Sequence, residues 1–140
     1  MRFNYSKICS DLLSPLNERE KEIITRRFGL EGKERETLES IGKDFGITRE
    51  RVRQIQNVAI SKIKPKLEKY QNVFQYFLEY FKKFGNVRKE ERLVEELGEG
   101  KWKNEILFLL SLHKSFKRVT KKDNEFHCFW TTDSRSIKDS

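Results

Sequence analysis

Residues 37–64 read TLESIGKDFGITRERVRQIQNVAISKIK, and the division of this stretch decides the fold. Thr37 can cap a short helix that buries Leu38, Ile41 and Phe45, because its hydroxyl satisfies one of the free N–H groups of a first turn. Gly46 ends that helix, and only Gly46 and Ile47 separate Phe45 from the next cap, Thr48. From Thr48 a longer helix runs to about Lys64, where Pro65 discourages continuation. Two helices joined by so tight a turn form a helix-turn-helix.

At about 100° per residue, Val52, Ile55, Ala59 and Ile63 share one side of the second helix, and Arg49, Glu50, Arg53, Gln54 and Asn57 cluster opposite. One side is suited to packing and the other stays free. The free side carries what base edges require: Arg donates twice to guanine, Gln pairs with adenine, and Glu accepts from cytosine. Arg49, Glu50, Arg53 and Gln54 lie in the first two turns, the part of a recognition helix that enters the major groove, and are the candidate base readers. Arg51, at the edge of the wheel, is assigned to the phosphate backbone together with Thr37, Thr48, Asn57, Lys62 and Lys64, and Lys66 lies just beyond them in the chain. Such contacts position the protein and add salt-dependent affinity. A charged stripe opposite an apolar one is also the ordinary form of a solvated helix, so spacing alone leaves both readings open.

Charge supports a polyanionic partner. The 140 residues carry a formal net charge of +8, and residues 41–70 hold eight Lys/Arg against three Asp/Glu, whereas residues 16–40 hold six against seven. The basic stretch is therefore local to the second helix and the few residues after it. No apolar run approaches the roughly 18 residues of a membrane span, and Met1 to Leu13 lacks the apolar core of a signal peptide. These features point to a cytoplasmic protein without a membrane partner. Cys9 and Cys128 belong to no paired motif, and His113 and His127 have no metal-ligand spacing, so neither a disulfide framework nor a metal or cofactor is expected. With no nucleophile motif or phosphate loop either, no catalytic residue is assigned and the chain is not read as an enzyme. Glu90, Glu91, Glu95 and Glu96, at helical spacing beside Lys89 and Arg92, read as a solvated face.

Outward from the central stretch, Asn17 with Glu20 three residues on forms a capping-box pattern, and Ile23, Ile24 and Phe28 recur at helical spacing until Gly29. Beyond Pro65, Val73, Phe77, Tyr80, Phe81 and Phe84 make a helical stripe closed by Gly85 and Asn86. Leu93, Val94 and Leu97 make a shorter helix ending at Gly98. Trp102, Ile106, Leu107, Leu109 and Leu110 make a third, too apolar to leave a base-reading face; Lys101, Lys103, Asn104 and Glu105 remain at its front, His113 and Lys114 at its back. From Phe116 to Thr120 and from Phe126 to Trp130 the pattern alternates around Lys122, Asp123 and Asn124, as a hairpin does. The basic residues Lys117, Arg118, Lys121 and Lys122 near that turn are suited to a wing contact, although a solvated turn looks the same. The chain thus reads as mainly α: a helix-turn-helix domain at 1–68, a small winged-helix-like domain of three helices plus a β-hairpin at 69–133, and a polar tail at 134–140.

The run Thr37-Leu38-Glu39-Ser40-Ile41-Gly42-Lys43-Asp44-Phe45 followed by Ile47-Thr48-Arg49-Glu50-Arg51-Val52-Arg53-Gln54-Ile55 resembles region four of primary bacterial sigma factors. The resemblance extends back through Leu16, Arg19, Glu20, Arg27, Phe28, Gly29 and Leu30, and covers about Leu13 to Lys66. It implies reading of the minus-35 promoter element by the second helix, with Arg49, Glu50, Arg53 and Gln54 as base readers by position, and docking on the flap of the RNA polymerase beta subunit. Departures are Gln56 in place of the usual Glu and the run Asn57, Val58, Ile60, Ser61. Nothing in the sequence upstream resembles the aromatic segment that melts the minus-10 element. The second half is loosely similar, in element order and aromatics, to HARE-type winged-helix domains.

The partners expected are double-stranded DNA and RNA polymerase, and a second half-site would require a homodimer. The competing reading is a protein-interaction module that docks on polymerase or a regulator without reading promoter DNA. Retention of Arg49, Arg53 and Gln54 weighs against it. The second half, with fourteen basic and eleven acidic residues from position 71 onward, is equally suited to protein docking.

Overall fold

The computed structural model describes residues 3–121 and 124–132; Lys122 and Asp123 of the expected turn, the tail at 134–140 and the side chains of residues 121–127 lie outside the described residues. The chain divides into two compact units, Met1–Lys69 and Tyr70–Ser140.

The first unit contains α1 (Tyr5–Leu12), α2 (Glu18–Phe28), α3 (Leu38–Phe45) and α4 (Arg49–Ile63), with a 3-10 segment, Lys64–Tyr70, continuing from α4. Each helix start has a local cause. Asn17 Oδ1 accepts from the Glu20 N–H at 2.8 Å while Glu20 Oε1 accepts from the Asn17 N–H at 3.0 Å, which is the reciprocal box the spacing predicts. Thr37 and Thr48 cap α3 and α4 by accepting from the Ser40 and Arg51 amides, each at 3.0 Å. Helix α1 adds to the elements expected from sequence. Asn4 caps it, and Tyr5, Ile8, Cys9 and Leu12, spaced for a single helical face, are buried.

The second unit runs α5 (Gln71–Lys82), β1 (Val87–Lys89), α6 (Glu90–Gly98), α7 (Lys103–Leu112), β2 (Phe116–Lys121) and β3 (Asn124–Thr132). Its sheet is antiparallel in the order β1-β3-β2, so the expected hairpin gains a third strand, and Asn124, read as a turn residue, opens β3. Helix, strand, two helices and two strands make the small winged-helix-like arrangement. An aromatic core holds it: Phe116 lies 6.2 Å from Phe77 and 5.5 Å from Phe81, and Phe74 packs 4.6 Å from the His113 ring. Phe84, placed with the core stripe by its spacing, lies beyond the end of α5 and is exposed, with the Arg88 guanidinium 3.6 Å over its ring.

Strand alternation gives the sheet an inner and an outer side. Phe116, Trp130 and Thr132 are buried on the inner side, where Arg118 shares a register row with Trp130. Arg118 Nε and Trp130 Nε1 both donate to Glu90 Oε1 at 2.8 Å. Arg118 is thus tied to α6 rather than held out at a wing tip, and Glu90 is a structural acceptor rather than a solvated acid. No helix among the described residues is long and apolar enough to cross a membrane.

Candidate nucleic-acid interface

The turn between α3 and α4 is set by two glycines with different tasks. Gly46 adopts φ 70°, a left-handed conformation that costs a side-chain-bearing residue, and its N–H closes the end of α3. Gly42 is needed for proximity: a Cβ there would stand 2.6 Å from the Ile47 carbonyl oxygen. The Ile47 N–H donates to Gly42 O at 2.9 Å, holding the chain against α3 where that space is tightest. Behind the turn, Ile23 of α2, Ile41 of α3 and Val52 and Ile55 of α4 form one buried cluster, with Leu38, Phe45 and Ile47 packed around it. Three helices are thereby locked at the orientation of α4, and deleting one such side chain would cost about 2–5 kcal/mol.

Fixing that side of α4 frees the other. Arg49, Glu50, Arg51, Arg53, Gln54 and Asn57 are all exposed. Arg53 binds Glu50 with two nitrogens, Nε donating to Oε1 at 3.1 Å and a terminal nitrogen to Oε2 at 2.5 Å, and Arg51 donates to Gln54 Oε1 at 3.3 Å. The ion pair holds the Glu50 carboxyl below its usual range and raises the Arg53 guanidinium. Because both groups are exposed, the pair orients the side chains without adding much stability. The face therefore presents Arg49 beside an Arg–Glu fork, with donors and an acceptor of the kinds that base edges require.

Residues 12–64 match the family model for region 4 of sigma-70. The amino-terminal unit is similar to sigma-70 region 4. The RNA polymerase sigma factor RpoD of Helicobacter pylori is 49% identical over 65 residues, 46% of this chain and 10% of that protein. The sigma factor SigA of a Bacillus species is 48% identical over 54 residues, 39% of this chain and 14% of its own length. RpoS of Coxiella burnetii is 50% identical over 56 residues, 40% of this chain and 16% of its own length. The chain spans between a tenth and a sixth of the length of these curated relatives.

Within this region 4-like unit the residues assigned to phosphate divide. Arg51, Asn57 and Lys64 are exposed. Thr37 and Thr48 have their hydroxyls engaged as helix caps and would meet phosphate mainly through the amides of the turns they open. Lys62 is committed elsewhere: its Nζ donates to both oxygens of Glu20, at 3.0 and 2.8 Å. Glu20 is buried, and Lys62 first and the Asn17 amide second hold its carboxyl below the usual range. One carboxylate so joins the start of α2 to the end of α4, and Lys62 is a strut of the fold before it is a cation for DNA. Lys66 is likewise turned to Asp11 and Ser14.

Two positioning features have no counterpart in the sequence pattern. Arg26 on α2 makes a two-nitrogen contact with Glu36, at 3.0 and 2.8 Å, and also pairs with Asp44 on α3. Glu36 first and Asp44 second raise the Arg26 guanidinium pKa, and Arg26 in turn holds the Glu36 carboxyl low. The 31–36 connection, charged and featureless in sequence, is fastened there, with Arg27 donating to the Glu36 carbonyl at 3.0 Å. The second is the burial of Glu105 in α7, a helix whose apolar run already predicts burial of its other side chains. Seven of its ten residues are buried, among them Glu105, which spacing places at an exposed front. Among the described residues no group of three or more His, Cys, Asp or Glu side chains is arranged to hold a metal ion.

Proposed function

We propose that this chain is a DNA-binding transcription regulator or RNA polymerase accessory factor that reads a minus-35-like element with α4 in the major groove. The observation that carries the reading is that the first two turns of α4 expose Arg49, Glu50, Arg53 and Gln54 together while Val52 and Ile55 are pinned in the three-helix core. Arg49 and Arg53 read guanine, Gln54 adenine and Glu50 cytosine; Thr37, Thr48, Arg51, Asn57 and Lys64 face the backbone, with Lys62 close by. The relatives carry the name RNA polymerase sigma factor, which supports a second contact with polymerase, and the resemblance to region four favours the flap of the beta subunit for that contact. In this reading 1–68 is the DNA-binding domain and 69–133 a HARE-like winged-helix domain, and an operator with two half-sites would engage two copies.

A second reading, docking on polymerase or a regulator without promoter reading, draws on Val58. It is 51% exposed in the third turn of α4, an apolar side chain beside a polar face. Binding of a minus-35-like duplex and a scrambled duplex of equal length across a salt series separates the two. Base reading keeps a sequence preference as salt rises, whereas equal binding that salt abolishes leaves only backbone attraction and favours docking.

A further inference from the structure

The winged-helix-like unit has an open sheet side that the reading of α4 does not use. Opposite the buried Trp130 row, the register sets Val87, Thr131 and Lys117 in one row across the three strands and Lys89, Phe129 and Val119 in the next. Val87 and Val119 are 48% and 47% exposed, Phe129 and Thr131 half-buried, and Lys89 and Lys117 exposed. No acidic side chain stands in these two rows. The lysines occupy opposite corners, and the phenyl ring lies between Lys89 and Val119.

We propose that this side of the sheet binds single-stranded DNA, one or two unpaired nucleotides at a time. Three strands and two rows span about 10 Å by about 7 Å, the scale of a dinucleotide. A protein partner needs about 800 Å² on each side for a stable contact. A second copy of this chain would bring lysines against lysines. A duplex keeps its base planes stacked away from Phe129 and the valines. Unpaired nucleotides supply both groups the surface lacks, a planar base to lie on Phe129 with the valines at its edges and a phosphate for Lys89, which is how sequence-tolerant single-strand sites combine stacking with charge.

The test uses the full chain and a fluorescein-labelled twelve-nucleotide oligo(dT), with binding read by anisotropy at moderate salt. Phe129→Ala should weaken binding about tenfold, the order of one stacked base, and Lys89→Glu several-fold. Phe129→Leu, which keeps apolar volume while removing the ring, should show most of the Phe129→Ala loss with an unchanged melting curve. Arg53→Ala should leave oligo(dT) binding intact while removing duplex preference, so this proposal and the promoter reading fail separately. The proposal is overturned if Phe129→Leu and Lys89→Glu bind as the parent does or if Arg53→Ala abolishes oligo(dT) binding. It is equally overturned if oligoglutamate of matched charge competes as well as unlabelled oligo(dT), which would mark an acidic protein segment as the occupant.

Discussion

Helices α4 and α7 are each the second helix of a tight helical pair, and the two units use them in opposite ways. α4 buries four of fifteen residues, all on one stripe, and leaves two turns of Arg, Glu and Gln in solvent. α7 buries seven of ten, from Glu105 through Leu110 and again at Leu112. A helix walled in on nearly all sides cannot enter a groove, so the same local architecture gives a helix with an open polar face in one unit and a core helix in the other. The difference lies in side-chain distribution, which shows why an element order alone does not assign a recognition helix.

Substitutions in the two units should act differently on folding and on duplex binding. The largest effect is expected from Phe108→Ala in α7. Removing this fully buried ring should cost about 3–5 kcal/mol and unfold the second unit in a thermal melt while duplex preference survives; loss of that preference would show that the first unit depends on the second. Gly42→Val comes next. Its side chain meets the Ile47 carbonyl, and the forced shift of the turn should cost about 1–3 kcal/mol in denaturant unfolding and remove duplex binding by misplacing α4. Lys62→Ala should cost about 1–2 kcal/mol, less than a fully buried pair because Lys62 is partly exposed. It should also flatten the acid limb of the stability curve. The Glu20 carboxyl is depressed in the folded protein, so its contribution is complete above the ordinary carboxylate range and is lost as pH falls through that range to the lower folded value. Stability curves of the parent and Lys62→Ala that run parallel in acid would contradict the strut. The smallest change belongs to Lys64→Ala, which should weaken all duplexes alike by lowering the salt slope by about 1.

Much of the first unit is legible in the sequence because its signals are local. Asn17 with Glu20, and Thr37 and Thr48, cap helices within three residues of themselves, and Gly46 stops α3 through its own backbone. The exposed set Arg49, Glu50, Arg53 and Gln54 comes from a wheel that a packed core leaves undisturbed. The features that sequence does not disclose depend on partners far along the chain. The Lys62–Glu20 contact joins residues 42 apart, the three-residue β1 is a strand only because β3 lies beside it, and Arg118 turns inward because its register row faces Glu90 on α6. Helix α1 is a different case. Tyr5, Ile8, Cys9 and Leu12 carry helical spacing over eight residues, as short as α3, but no glycine marks the end of that helix as Gly46 marks the end of α3.

The claim that α4 reads and α7 does not is tested most directly by one ratio, the affinity for the preferred duplex over that for a single-base variant of it. It should be measured for the parent, Arg53→Ala in α4 and Lys103→Ala in α7. Arg53→Ala should collapse the ratio at a cost of about 1–3 kcal/mol on the preferred duplex, while Lys103→Ala should leave it unchanged. A ratio that survives Arg53→Ala and falls with Lys103→Ala would contradict that claim.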